Sequence, residues 1–245
     1  MPMHHRRGIT ALILLVIISG VYLYFHLHKP QIIEPVVIQV PFNGKVPSEI
    51  SHGDTTKKQI IFTFDAGEGT QSASSTLEIL RRHHVKATFF ITGKWVSRNK
   101  NFIHRMRAEG HDIFNHTFSH PHLTELTDPE IIKELNNTDS EMMDVTGSST
   151  KPFFRPPYGD RDDHVLAIAA KQGFRSVYWT VDAHDWMEND GITKEEVKSR
   201  ILDNASPGAI ILMHLGDSIT ENVLDDTLTS LEQRGYRMVS LTQGL

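Results

Sequence analysis

Cysteine is absent from the 245 residues, which excludes disulfides, thiolate metal sites and a cysteine nucleophile and leaves any metal chemistry to His, Asp or Glu. A basic surplus is absent too: 25 basic residues against 30 acidic ones leave a net charge of -5, far from the surface that a phosphate-tracking nucleic-acid binder needs. Nucleic acid is therefore not an expected partner. Internal repeats and low-complexity tracts are also missing, and the length suits one domain of roughly 190 residues behind a leader.

A long apolar run opens the chain. His5-Arg6-Arg7 precede an uncharged stretch from Ile9 to Phe25, about the minimum that crosses a bilayer as a helix. Arg6 and Arg7 lie before the run and only Lys29 follows closely, so the positive-inside bias places residues 1–8 in the cytoplasm and the bulk of the chain outside. Tyr22 and Tyr24 suit an interfacial belt, and no small-x-small cleavage site follows. The reading is an N-terminal transmembrane helix over 9–28, an uncleaved anchor in preference to a removed signal peptide, with a single-pass cell-membrane location. Residues 29–57 carry Pro30, Pro35, Pro41 and Pro47, a composition that resists helix and suits an extracytoplasmic linker. A folded domain is expected over 58–245.

Beyond the linker, β-rich runs alternate with amphipathic ones: QIIFTFD, STLEILRRHHV, KATFFIT, NKNFIHRMRAEG, HDIFNHT, and later HVLAIAAKQG, SVYWTVD, KEEVKSRILDNA, GAIILMH, TLTSLEQRG and YRMVSL. Such alternation is the mark of an α/β protein with a parallel sheet under helices, either an open doubly wound sheet or a closed barrel. Asp65, His116, Asp182 and His214 each fall at or just after the carboxyl end of an apolar strand, the edge where α/β barrels gather active sites.

Several constellations carry chemistry. His116 and His120 stand four apart, so on one helical turn both rings would point the same way and bind one cation, with Asn115 and Thr117 placed to hold them. Asp65 precedes Gly67 and Gly69, which permit a tight turn that leaves the carboxylate at the strand mouth; GEG lacks the Lys and spacing of a phosphate loop. Arg155 stands before two prolines, where a stiff backbone aims the guanidinium at a nearby carboxylate and keeps it ionised. Asp182, Asp185 and Trp186 join carboxylates to an indole suited to a sugar platform or pocket wall. His214 closes a buried run, where a partner such as Asp185 would raise its pKa and fit it to act as an acid.

Taken in order, TFDAG, HTFSH, RPPYG, DAHDW and LMH resemble the five motif regions of the NodB-like polysaccharide deacetylases of carbohydrate esterase family four, from about Gln59 to Leu241. The resemblance implies a deformed (β/α) barrel, the NodB homology domain, and a divalent metal, usually zinc. It further implies Asp65 as general base oriented by Arg155, His116 and His120 as metal ligands, and a backbone amide near Tyr158 at the oxyanion. His214 would be the general acid tuned by Asp185, and Trp186 and Leu212 would wall the acetyl pocket. The family usually has a second aspartate after the base as third metal ligand, and this chain has Ala66 there; Glu68 is the leading substitute. The function so implied is metal-dependent N-deacetylation of an amino-sugar polymer, peptidoglycan or a chitin-like oligomer, by a monomer. The alternative is a catalytically impaired glycan-binding relative, suggested by Ala66.

Overall fold

The computed structural model describes residues 44–245. Eight parallel strands form one curled sheet: β1 (Gln59–Ala66), β2 (Thr88–Ile91), β3 (Asp112–Asn115), β4 (Phe153–Phe154), β5 (Arg175–Ser176), β6 (Val181–Asp182), β7 (Ala209–His214) and β8 (Arg237–Val239). The order across the sheet is β5-β4-β3-β2-β1-β7-β6, with β8 alongside the first half of β1. Helices α1 (Ala73–Arg82), α2 (Gly93–Arg98), α3 (Lys100–Ala108), α4 (Asp128–Thr146), α5 (Asp163–Lys171), α6 (Lys194–Asp203), α7 (Ser218–Gln233) and α8 (Leu241–Gly244) complete the fold. The sheet curls into a half-barrel whose end strands β5 and β6 do not pair with each other, so it is neither a flat doubly wound sheet nor a closed barrel but a deformed one.

The alternation of β1 explains both layers. Its residues are all buried, and successive side chains point to opposite faces. Ile60, Phe62 and Phe64 join the cluster under the helices, with Leu77, Leu80, Val197, Leu228 and Leu231. Ile61 points inward and packs with Phe90, Phe114, Phe153 and Ile210. Each such fully buried side chain contributes about 1.5–3 kcal/mol. Thr63 and Asp65 follow Ile61 on the inner face, so the inside of the half-barrel is apolar at one end and polar at the other.

The amphipathic runs become helices through local signals. Capping boxes start α4 (Thr127 with Glu130) and α6 (Thr193 with Glu196), each satisfying amides the first turn leaves free. The run SVYWTVD does not form one strand: β5 ends at Ser176 and β6 begins at Val181. Between them Val177 pairs with Ile50, and His52 pairs with Ala209.

That pairing revises the expected domain boundary. Ile50 is buried; its amide donates to Ser176 O at 3.0 Å and its carbonyl accepts from Tyr178 N at 2.7 Å. Thr180 Oγ1 donates to Ser51 O, and Gly53 N to Gly208 O, both at 2.7 Å. Residues 50–53 therefore bridge the gap between the outer strands and belong to the folded domain, although they lie in the stretch read as linker. Backbone pairing of this kind has no signature in composition. The anchor expected over 9–28 lies outside the described residues; among the described residues no helix is long and apolar enough to cross a membrane.

Candidate active site

At the polar mouth of the half-barrel, parallel register sets Asp65 of β1 directly beside His214 of β7, on strands that run about 4.8 Å apart. His116 follows β3, and Asp182 ends β6. All four line one cavity of about 470 Å³, together with His120, Tyr158, Trp179, Trp186 and Leu212. A second lobe of about 750 Å³ shares Asp65, His120, Tyr158 and His214 and continues past Glu68, Lys94, Arg98 and Asp217. The convergence of strand-end polar residues on one rim is thus realised.

Arg155 organises the floor. It is wholly buried beneath the cavity. Its Nη1 donates to Asp65 Oδ1 at 2.7 Å and to Thr63 Oγ1 at 2.8 Å, its Nε to Val177 O at 3.3 Å and its Nη2 to Tyr178 O at 3.2 Å. The guanidinium also lies 4.2 Å from the Phe90 ring centroid. Burial pushes the Asp65 carboxyl up, but the charge of Arg155, with smaller contributions from His116 and His214, outweighs it and holds Asp65 below the usual carboxylate range. Asp65 is therefore an ionised carboxylate at neutral pH, oriented by a fixed cation.

His116 and His120 come together, but not on a helix. Residues 116–120 form a loop in which Thr117 (φ 64°) and His120 (φ 65°) adopt left-handed backbone, a conformation that costs free energy and collects at functional sites. The loop is pinned: Asn115 Oδ1 accepts from Thr117 N at 2.8 Å, Thr117 Oγ1 accepts from His120 N at 3.2 Å, and Glu134 accepts from Phe118 N and Ser119 N. Asn115 and Thr117 thus hold the loop backbone, and the ring centroids of the two histidines end 4.8 Å apart. Burial pushes both imidazoles down, His120 to about 4 with help from His116, so both are neutral near pH 7.

The donor chemistry fits a divalent cation. His116 Nδ1 donates to Arg155 O at 2.8 Å, which fixes the tautomer and leaves Nε2 with a bare lone pair, the arrangement typical of a metal-bound imidazole. That Nε2 faces Asp65 Oδ2 at 3.4 Å: two acceptors turned toward each other, a contact that a cation relieves. Glu68 is exposed and lines the adjoining lobe with Asp65 and His120. Among the described residues only Asp185, His214 and Asp217 form a group of three with all donor atoms within 4.8 Å. Both oxygens of Asp185 are already committed there. Oδ1 accepts from His214 Nδ1 at 2.8 Å; Oδ2 accepts from His214 N at 2.8 Å and from Thr220 Oγ1 at 2.6 Å.

That grip defines His214. Burial disfavours its imidazolium, but the charge and hydrogen bond of Asp185, aided by Asp65 and Asp217, outweigh burial and push it up to about 9. It is protonated at neutral pH beside an ionised Asp65, so one rim presents a base and an acid in their working states. Tyr158 (φ 58°) sits between Pro157 and Gly159 in a tight turn and is largely exposed. Gly159 (φ +68°) is required there twice over, because a Cβ would also lie 2.8 Å from the Trp179 ring. Trp186 is half-exposed at the rim and Leu212 buried in the wall.

Sequence reasoning missed Thr63, which braces Arg155, although its place two residues before Asp65 puts it on the same strand face. It also missed Thr220 behind Asp185 and the open Asp217, for which no pattern in the chain gives a signal.

Residues 52–177 match the family model described as polysaccharide deacetylase. The chain belongs to the polysaccharide deacetylase family. Its enzyme class is that of the N-deacetylating hydrolases. Peptidoglycan-N-acetylmuramic acid deacetylase PdaA of Bacillus subtilis is 36% identical over 189 residues, 77% of this chain and 72% of that protein. Its solved structure, described as a family 4 carbohydrate esterase, matches with a TM-score of 0.75 at 35% identity over 80% of this chain and 84% of that one. A peptidoglycan-N-acetylglucosamine deacetylase of Bacillus cereus is 34% identical over 77% of this chain and 69% of its own length. A family member from Bacillus anthracis described as a pseudoenzyme also matches, with a TM-score of 0.76 at 32% identity over 81% of this chain and 69% of that one.

Proposed function

We propose that this protein hydrolyses N-acetyl groups from the amino sugars of peptidoglycan, with a chitin-like oligomer as the neutral counterpart of that substrate. The observation that carries the reading is the side-by-side register of Asp65 and His214, which sets an ionised carboxylate and an imidazolium across one cavity. An acetamide entering between them meets both. Asp65, aimed by Arg155, takes a proton from water as the water oxygen bonds to the acetyl carbon. His214, held through Nδ1 by Asp185, delivers a proton from Nε2 to the nitrogen as the carbon–nitrogen bond breaks, leaving acetate and a free amine. The backbone at Tyr158 faces the developing oxyanion, Leu212 walls the methyl group, and Trp186 carries the sugar face.

His116 and His120, with Glu68 as third donor or Asp65 in a helping role, would hold a divalent cation, zinc being the expected one, whose charge polarises the acetamide carbonyl. The apolar run 9–28 tethers the enzyme to the outer face of the cell membrane as a monomer, which membrane fractionation and light scattering test.

The deciding experiment measures acetate release from peptidoglycan and from N-acetylglucosamine oligomers, with added zinc or chelator. Release is expected to stop with chelator and to fall at least about 10²-fold in Asp65→Asn. His116→Ala is expected to weaken zinc binding at least about tenfold by calorimetry. A second reading, a glycan binder impaired in catalysis, draws on Ala66, whose buried methyl offers no ligand. Glycan binding without acetate release at any zinc concentration would establish it.

A further inference from the structure

The second lobe of the cleft carries positive charge that nothing in the domain uses. Lys94 and Arg98 stand one turn apart on α2 and line the lobe that also holds Asp65 and His214. Alone among the arginines of the described residues, Arg98 has a guanidinium that reaches no partner. Others are engaged: Arg81 with Glu78, Arg105 with Glu109, Arg161 with Glu49. Lys94 likewise makes no ion pair among the described residues. Glu68 and Asp217 line this lobe too, yet neither lies within 4.0 Å of either cation. Asn99, Gln71 and Ser119 supply neutral polar groups around them. Two open cations in the cleft of about 750 Å³ that Asp65 and His214 also line fit an anionic group on the substrate.

We infer that Lys94 and Arg98 form a subsite for a carboxylate on the sugar next to the one deacetylated, so that the preferred substrate is an anionic amino-sugar polymer. In peptidoglycan that carboxylate is the lactyl group of a muramic residue whose stem peptide has been removed, since an attached peptide converts it to an uncharged amide. A guanidinium matches it in the two-pronged manner that an ammonium cannot. The inference rests on the deacetylase reading and adds the charge of the substrate to it.

Two peptide-free tetrasaccharides separate the questions: one alternating N-acetylglucosamine and N-acetylmuramic acid, the other N-acetylglucosamine throughout. The full chain is expected to favour the carboxylate-bearing one in kcat/KM, and the preference is expected to shrink with added salt. In the double variant Lys94→Gln/Arg98→Gln the ratio of the two kcat/KM values is expected to fall about tenfold or more. An unchanged ratio in the variant, or equal kcat/KM for both substrates in the unaltered protein, would overturn the subsite while leaving the deacetylase reading intact. Absence of acetate from either substrate would instead remove the deacetylase reading. In that event calorimetric binding of the carboxylate tetrasaccharide still decides the subsite: binding that is lost in the variant supports it, and binding that persists sinks it.

Discussion

Replacing Asp185 by Asn removes one charge and almost no volume from a wholly buried position, so its effects report on electrostatics. In the unaltered protein His214 rises from 6.5 to about 9, which at 1.36 kcal/mol per pH unit corresponds to about 3 kcal/mol of preference for the imidazolium. In the Asp185→Asn variant the opposing effect of burial is left in command, and the His214 pKa is expected below the ordinary histidine value of about 6.5. At pH 7.5 the protonated fraction then drops from roughly 97% to less than roughly 10%, a loss of about tenfold or more in kcat/KM from protonation alone. The alkaline limb of acetate release should move from near pH 9 to below pH 7. Stability changes with it. A folded pKa above the unfolded one stabilises fully below pH 6.5, and that contribution is lost as pH rises through about 9. Urea unfolding of the unaltered protein should therefore weaken by about 3 kcal/mol between pH 6 and pH 9.5, and Asp185→Asn should lack that slope. An alkaline limb that stays near pH 9 in the variant, or a slope that survives there, would refute the assignment of the shift to Asp185.

Arg155→Met strips four hydrogen bonds from a buried cation and leaves Asp65 unpaired; unfolding is expected about 3–5 kcal/mol easier, and a change under 1 kcal/mol in urea titration would contradict the floor described for it. A fragment beginning at residue 44 should outlast one beginning at residue 58 by at least about 2 kcal/mol, because the shorter one forfeits the burial of Ile50; equal melting curves would return residues 50–53 to the linker. Trp186→Ala, at a half-exposed rim position, should leave the melting temperature in place and raise KM for oligosaccharide about tenfold. A changed kcat with constant KM would place the indole elsewhere in the reaction.

Much of this site is local, and local features can be read along a chain. A strand that ends in a carboxylate before two glycines, an arginine fixed by prolines, and a histidine closing an apolar run each describe themselves in a few consecutive residues. Strand periodicity placed Asp65, His116, Asp182 and His214 on one edge because parallel strands all end on the same side of the sheet. The helical reading of His116 and His120 went astray because spacing by four is shared by a helix turn and by a pinned loop with two left-handed residues.

What the chain determined by itself was the alternation of strands and helices, the polar residues at the strand ends and the motif order that marks the family. These depend on neighbours within a few residues. Tertiary structure alone decided that β7 pairs with β1 so that His214 stands beside Asp65, that Thr63 and two backbone carbonyls share Arg155, that residues 50–53 close the sheet, and that Lys94 and Arg98 line an open lobe of the same cleft. Each of those is a contact between residues far apart in the chain, fixed by which surfaces bury against one another.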